Sequence, residues 1–296
     1  MALRDRLEEI AANLDGTLGL AVRVLKTGEE YRINDQELFP LASVFKVPLL
    51  VELFRQMEQG GFSLETRVTL RAEDQSPGSG VLKEFLPGAQ LSIWDLAVLM
   101  IIVSDNTATD MLYERIHGAT SITRSMKALG LNHTAVPFDC KALLNVSVGL
   151  ESADRSPDTM EEGRRRLKEG AFDYESVAFQ CTLENNCTTP ADMLELFTMI
   201  EQRAVVSPEA CDKMIDILLR QQLNQRIPLL LPQPFKVAHK TGTVGTTRND
   251  AGIIYLPSGD PVVFCAFTKG VDPTNWRAGD MAIAEAALAV YQEYAR

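Results

Sequence analysis

The sequence predicts an α+β protein in which an antiparallel β-sheet is flanked by terminal helices and interrupted by an inserted all-helical domain. Strand-like segments are confined to the two ends of the chain, helical periodicity fills the middle, and consecutive strands are joined by short turns. Short turns favour antiparallel pairing. We therefore expect a discontinuous sheet domain from residues 1–42 and 205–296, and a helical domain from residues 43–204. The active site is expected at the interface of the two domains.

The first elements follow from apolar spacing and turn signals. Leucine and isoleucine spaced for one face predict a helix over residues 3–14, and a β-hairpin follows from Leu18–Leu25 and Glu30–Ile33. The clearest helical stretches of the middle are Val44–Gln59, Ser92–Val103, Thr107–Ile116, Thr120–Leu129 and Thr189–Arg203. A helix near Pro208–Gln222, three strands and a closing helix are then expected, the last four at Phe235–Thr243, Asp250–Leu256, Val262–Lys269 and Gly279–Tyr294. Residues 139–180 are weakly patterned and predict a long loop with one short helix.

Composition and charge exclude several classes of protein. The 296 residues are 46% hydrophobic and 23% charged, which is typical of a globular chain rather than a disordered one. A net charge of −11 argues against nucleic acid as a partner, because such binding depends on neutralising phosphates. No apolar run is long enough for a membrane helix, so no membrane partner is expected. The charged N-terminus resembles no signal peptide. We therefore expect a cytoplasmic protein, or a periplasmic or extracellular one if the sequence is a trimmed mature form.

Metal and cofactor sites are not expected. The three histidines and five cysteines lack zinc-ligand spacing, and an odd number of thiols is typical of a reduced intracellular chain. Cys181 and Cys187 are close enough in sequence to form a disulfide in an oxidising compartment.

The first motif with chemical meaning is Ser43-Val44-Phe45-Lys46, at the start of a predicted helix. Residues three apart share a helix face, so the lysine amine can lie beside the serine hydroxyl. A buried lysine can become neutral enough to act as the base that a nucleophilic serine needs. The alternative is a serine that caps the helix, followed by an unrelated lysine.

The second motif is Ser104-Asp105-Asn106, between an apolar run and the next predicted helix. Ser104 could relay a proton to a leaving group, and Asn106 could hold a substrate amide. The alternative is structural, because all three residue types are common helix N-caps.

The third motif is Lys240-Thr241-Gly242, followed by Thr243, within a predicted strand. Lys240 and Gly242 then share a face, and the absent side chain at Gly242 would let a ligand approach the backbone. Lys240 would supply positive charge for a substrate carboxylate, and the Thr243 N–H an oxyanion donor. The same tripeptide at positions 26–28 falls in a hairpin turn, so the motif alone is not decisive.

In this order, the three motifs resemble those of class A β-lactamases and penicillin-binding proteins. Neighbouring stretches that resemble class A enzymes are Phe39-Pro40-Leu41-Ala42-Ser43, Gly78-Ser79-Gly80-Val81-Leu82 and Thr188-Thr189-Pro190. The resemblance covers nearly the whole chain and implies a β-lactamase/transpeptidase-like fold. It supports a serine hydrolase that is acylated on Ser43, with Lys46, Ser104 and Lys240 as further catalytic residues and Asn106, Thr241, Gly242 and Thr243 in substrate binding.

The chain departs from the family where the deacylating water is activated. Class A enzymes carry a Glu-x-x-Leu-Asn motif ahead of the Thr-Thr-Pro helix, and this motif is absent here, although the region is longer than usual. Candidate replacements are Asp173, Glu175 and Glu184, although carboxylates on such a loop are more often solvated than catalytic. Arg248 lies close to the sequence position at which many relatives carry a strand arginine that helps to bind the substrate carboxylate. Its register is one residue off, which would turn it to the other face.

The leading functional hypothesis is hydrolysis of β-lactams, with a small molecule, a carboxylate-bearing amide or ester, as substrate. The alternatives are an intracellular esterase or amidase of the same group, a penicillin-binding protein that is acylated without turnover, and an inert scaffold. A histidine-dependent hydrolase is disfavoured because no G-x-S-x-G motif occurs, and because His239 should face away from Lys240.

Overall fold

The computed structural model describes residues 2–295 and divides them into two compact units. The sheet unit contains the chain up to Val44 and from Thr188 onward, and the helical unit is Phe45–Cys187. The helices are α1 (Leu3–Asn13), α2 (Lys46–Glu58), α3 (Ile93–Ile102), α4 (Asn106–Arg115), α5 (Gly118–Ala128), α6 (Cys140–Ser147), α7 (Pro157–Glu169), α8 (Pro190–Glu201), α9 (Pro208–Leu219) and α10 (Arg277–Tyr294). The strands are β1 (Thr17–Val24), β2 (Glu30–Ile33), β3 (Phe39–Pro40), β4 (Arg67–Thr69), β5 (Gln90–Ser92), β6 (Cys187–Thr188), β7 (Lys236–Val244), β8 (Thr247–Tyr255) and β9 (Pro261–Lys269).

The sheet unit is built on five antiparallel strands in the order β2-β1-β9-β8-β7. One face of β1 presents Leu18, Leu20 and Val22 to a core that also takes apolar side chains from α1 and α10. The other face is covered at α8, where a Cβ added to Gly19 would lie 2.9 Å from Pro190 Cγ. The predicted α+β class is confirmed, and β7 is an edge strand.

Three local differences from the expected organisation have physical causes. Helix α8 packs on β1 and β9 and so belongs to the sheet unit, which places the second boundary earlier in the chain than residue 204. Strand β8 begins at Thr247 rather than Asp250. Its first residues are polar and so lack the apolar pattern of a strand, but they are hydrogen-bonded to Thr268 on β9. Residues 139–180 hold two helices, α6 and α7, rather than one short helix.

Helix α7 has clear boundaries despite its polar sequence. The Ser156 hydroxyl accepts from Thr159 N, Pro157 occupies the first turn, and Gly170 ends the helix with φ of +69°. Each of these features is a helix terminus signal.

Cysteine pairing and membrane helices are both absent from the described part of the chain. Cys181 and Cys187 remain thiols, and neither is part of a disulfide. Among residues 2–295, no helix combines the length and the apolar character needed to cross a membrane.

Candidate active site

Ser43 lies in a short 3₁₀ turn, Ala42–Phe45, that continues directly into α2 at Lys46. Ser43 is half-buried, and the residue before it, Ala42, has φ of +44°. A non-glycine residue in the left-handed region costs energy and persists only where its surroundings hold it. Asn249 supplies part of that restraint, since its Nδ2 donates to Pro40 O at 2.7 Å and to Leu41 O at 3.0 Å.

Lys46 opens α2 in the helical unit and is completely buried. Its Nζ donates to Ser104 O at 2.8 Å and to Asn106 Oδ1 at 2.8 Å, and it lies 3.0 Å from Ser104 Oγ. The carbonyl and the amide oxygen can only accept, whereas the Ser104 hydroxyl can accept or donate. Nζ can therefore remain an ammonium with three acceptors, or become an amine that receives the hydroxyl proton of Ser104.

Burial lowers the pKa of Lys46 below its usual range, because an ammonium is penalised when it is removed from water. The nearby ionisable groups of Cys140, Asp110 and Asp105 oppose this shift. The amine form, which a base requires, is thus more accessible than in an exposed lysine.

The residues of the Ser104-Asp105-Asn106 motif have different hydrogen-bond partners. Asp105 is the N-cap of α4, where its Oδ1 accepts from Ala108 N at 2.9 Å. Its Oδ2 accepts from Val81 N at 2.6 Å, which ties the preceding loop to the helix. Ser104 has φ of +54° and points to Lys46 instead. Asp105 is thus the helix cap of the structural interpretation, whereas Ser104 and Asn106 both contact Lys46.

Ser79 belongs to the same network, although its role was not predicted from the sequence. Its hydroxyl donates to Ser104 O at 2.7 Å and lies 3.2 Å from Asn106 Oδ1. Asn106 Nδ2 donates to Pro77 O at 2.8 Å. The amide of Asn106 is thus fixed in orientation, with its oxygen toward Lys46 and Ser79 and its nitrogen toward the Pro77 loop.

The Lys240-Thr241-Gly242 motif lies on β7 of the sheet unit, with Lys240 opposite Ala251 on β8. Lys240 is buried, and its Nζ donates to Thr241 O at 2.7 Å. A Cβ added to Gly242 would lie 2.7 Å from Leu41 O, so the glycine admits the segment that precedes Ser43. The missing side chain thus makes room for the protein's own backbone at Leu41.

Arg226 is a functional candidate that the sequence analysis missed. Its buried guanidinium donates from Nε to Asp280 Oδ1 at 2.6 Å and from NH2 to Thr243 Oγ1 at 2.6 Å. NH1 donates to the carbonyls of Gly242 at 3.0 Å and Asn249 at 2.8 Å. One side chain thus anchors the two positions of β7 that follow Thr241. The only signal in the sequence is a single arginine before the apolar run that begins at Ile227.

Arg248 lies directly opposite Thr243 in the β7–β8 register, so its side chain projects from the face of Thr243 and not from that of Lys240. Its NH1 donates to Gly245 O and Thr247 O, each at 2.8 Å, and its guanidinium lies 4.6 Å from the ring centre of Trp276. The side chain is thus hydrogen-bonded to the turn that joins β7 and β8.

The three candidate carboxylates, Asp173, Glu175 and Glu184, are all exposed. Asp173 accepts from Glu175 N at 3.1 Å within its own loop. Among the hydrogen bonds of the described chain, none joins the three to Lys46.

A buried acid that the sequence analysis missed lies nearer to this network. Asp110 on α4 accepts from Ser76 Oγ at 2.6 Å, from Cys140 N at 2.6 Å and from Lys141 N at 3.2 Å. Burial, and then the charge of Asp139, raise the pKa of Asp110 to about 6.

His239 has its hydrogen-bond partners outside the lysine–serine network. His239 Nδ1 is 2.8 Å from Asp250 Oδ1, on the strand face opposite that of Lys240. No group of three or more His, Cys, Asp or Glu side chains within residues 2–295 is arranged to hold a metal ion.

Comparison with known proteins identifies beta-lactamase relatives over almost the full length of the chain. A family model described as "Beta-lactamase enzyme family" matches residues 2–294. The extended-spectrum beta-lactamase PER-1 of Pseudomonas aeruginosa is 28% identical over 98% of this chain and 86% of its own length. Among solved structures, PBP-A is 27% identical with a TM-score of 0.77, over 99% of this chain and 95% of that one. A beta-lactamase from Sphaerobacter thermophilus DSM 20745 is 27% identical with a TM-score of 0.78, covering 97% and 95%. A variant of PBP-A has been solved as an acyl-enzyme complex with penicillin G.

Proposed function

Because the chain belongs to the beta-lactamase enzyme family, we propose that it is a serine hydrolase that opens β-lactam rings through an acyl-enzyme on Ser43. The observation that carries this proposal is the buried Lys46 amine, held 3.0 Å from the Ser104 hydroxyl. A base and a proton donor that share one hydrogen bond can serve both ends of an acyl transfer.

The acylation step follows from these groups. Ser43 Oγ forms a bond to the lactam carbonyl carbon, and its proton passes to the Lys46 amine. The carbonyl C–N bond then breaks, the departing nitrogen takes the proton of the Ser104 hydroxyl, and Lys46 returns a proton to Ser104. Atoms and charges balance, and Lys46 ends as the amine from which it started.

Strand β7 has the second role in this proposal. Lys240 supplies positive charge for the substrate carboxylate, with the Thr241 hydroxyl as a further donor. The N–H of Thr243 stabilises the oxyanion, and Asn106 holds the amide of the acyl side chain. Arg226 is a positioning residue, because it anchors Gly242 and Thr243 through hydrogen bonds.

The nucleophile and its base are tested by covalent labelling with penicillins, read by intact-protein mass spectrometry. Ser43→Ala should abolish labelling, and Lys46→Ala should slow it by at least about 10²-fold, the usual contribution of a general base. Lys26→Ala, in the tripeptide of the hairpin turn, is the matched control and should label at the wild-type rate. Undiminished labelling of Ser43→Ala would refute the mechanism.

The role of Lys240 is tested with paired substrates. A charge-assisted hydrogen bond contributes about 1.5–3 kcal/mol, or roughly 10–150-fold. Lys240→Ala should therefore lose that factor on carboxylate-bearing β-lactams and much less on neutral activated esters. An equal loss on both would mean that Lys240 is structural or part of the proton relay. Wild-type turnover of esters alone would favour the intracellular esterase or amidase alternative.

A second candidate function, acylation without turnover, is favoured by the exposed positions of Asp173, Glu175 and Glu184. Repeated cleavage of a chromogenic cephalosporin indicates an enzyme, whereas a single stoichiometric burst indicates a penicillin-binding trap. If the wild-type protein turns over, the variants Asp173→Asn, Glu175→Gln and Glu184→Gln are each assayed for accumulated acyl-enzyme. Accumulation in one of them identifies the deacylating base, and accumulation in none indicates that Lys46 serves both half-reactions.

A further inference from the structure

A cavity of about 560 Å³ lies within the helical unit, beside the loop that contacts Asn106. Pro77 and Gly78 form part of its wall, and Arg164, Leu167 and Lys168 of α7 form another part. The hydrogen bond from Asn106 Nδ2 to Pro77 O connects this wall directly to the lysine–serine network.

The ionised side chains of the cavity wall are mainly positive. Lys83, Arg164 and Lys168 contribute three cations against one acid, Glu84. Lys83 Nζ donates to Gly78 O, so it leans across the loop. Cations gathered on a concave wall raise the local concentration of anions.

The two cations of α7 differ from their neighbours on the same helix. Arg165 is paired with Glu162 and Glu169, and Arg166 with Glu162. Across the part of the chain that the structure describes, no hydrogen bond or ion pair involves the side chain of Arg164 or of Lys168. Like charges four residues apart on a helix repel each other, so their placement here has a cost that an anionic ligand would offset.

We infer that this cavity is a subsite for an anionic group on the acyl side chain of the substrate. The inference rests on the proposed function, in which Asn106 holds the amide that bears this side chain. Because Pro77 accepts a hydrogen bond from Asn106, a side chain extending from that amide passes the Pro77–Gly78 loop. The preferred substrates are then dianions, with one carboxylate on the bicyclic ring system and a second on the acyl side chain.

The test compares benzylpenicillin with α-carboxybenzylpenicillin, which differ only in the second carboxylate. The measured quantity is the ratio of kcat/KM for the dicarboxylate to that for the monocarboxylate. In the double variant Arg164→Gln, Lys168→Gln this ratio should fall about tenfold, the combined effect of two partly solvated ion pairs. Hydrolysis of benzylpenicillin should be unchanged. In wild type the ratio should also fall as salt is raised, and in the variant it should not.

The control is the double variant Arg165→Gln, Lys127→Gln, which removes two positive charges from the same unit outside the cavity wall. It should keep the wild-type ratio. Three outcomes would overturn the inference while leaving the proposed function intact. The ratio could be unchanged in Arg164→Gln, Lys168→Gln, kcat/KM could fall equally for both penicillins, or the control could lower the ratio as much. If wild type does not react with benzylpenicillin, both are overturned.

Discussion

Replacing Arg226 by methionine should both destabilise the protein and slow its acylation. The guanidinium is buried, forms an ion pair with Asp280, and donates to three positions on β7 and β8. Methionine fills much of the same volume but supplies no donor. The variant therefore leaves the Asp280 carboxylate, two carbonyls and the Thr243 hydroxyl without their common partner.

The magnitude follows from the surroundings of Asp280. Removing one partner of a buried ion pair costs about 3–5 kcal/mol, because the other charge remains without compensation. Here Arg248 Nε lies 3.8 Å from Asp280 Oδ1 and compensates in part. We therefore expect the lower end, about 3 kcal/mol, which corresponds to a fall in Tm of roughly 6–12 °C for a chain of this size class.

The assay combines urea unfolding with the rate of penicillin labelling of Ser43. Arg226→Met should lose about 3 kcal/mol of unfolding free energy, and the double variant with Asp280→Asn should recover part of it, because the uncompensated charge is then gone. Arg203→Met, in the exposed pair with Asp212, is the control and should lose at most about 1 kcal/mol. Labelling should slow in Arg226→Met even well below its Tm. A loss below 1 kcal/mol with normal labelling would refute the role given to Arg226.

Three further predictions test single positions. Gly242→Ala should slow acylation by at least about tenfold, because a Cβ there lies 2.7 Å from Leu41 O and 3.0 Å from Val44 Cγ2 and must displace β7; wild-type labelling kinetics would contradict this. The acylation rate should rise with pH and level off at a pH below the ordinary lysine pKa of 10.5, since burial lowers the pKa of Lys46. An acylation rate that still rises above pH 10.5 would contradict this. Asp110 has a folded-state pKa of about 6 against 3.8 for the ordinary carboxyl, so its stabilising proton is fully present below pH 3.8 and is lost as pH rises to 6. Wild type should lose on the order of 3 kcal/mol of stability over that range relative to Asp110→Asn, and parallel pH curves would show that Asp110 does not titrate there.

The fold was predictable from sequence where apolar spacing and burial coincide. Strands β1 and β9 are mostly apolar, as buried strands are, and their predicted bounds are almost the observed ones. Helix α7 was missed because its exposed surface leaves few apolar positions, so that only Ser156, Pro157 and Gly170 indicate it. Local terminus signals therefore carried more information in residues 139–180 than periodicity did.

The site was predictable only where its residues are close in sequence. The spacing of Ser43 and Lys46 fixes them on one short helical segment, whatever the rest of the chain does. Asn249, by contrast, donates to Pro40 O across a separation of 209 residues, and no local pattern indicates such a partner. The same holds for Arg226, whose contacts depend on the register of β7 and β8.

The two lysine–threonine–glycine tripeptides show why a motif acquires chemistry from its surroundings. At positions 26–28 the lysine is exposed and paired with Asp260, and a Cβ on Gly28 would meet nothing within 4 Å. At positions 240–242 the lysine is buried, and a Cβ on Gly242 would strike the backbone ahead of Ser43. An exposed ammonium is screened by water and interacts weakly with a passing carboxylate, whereas a buried one keeps its field. The same three residues are thus an exposed turn in one place and, in the function proposed here, a substrate-binding element in the other, because only β7 removes them from water and holds them against the serine segment.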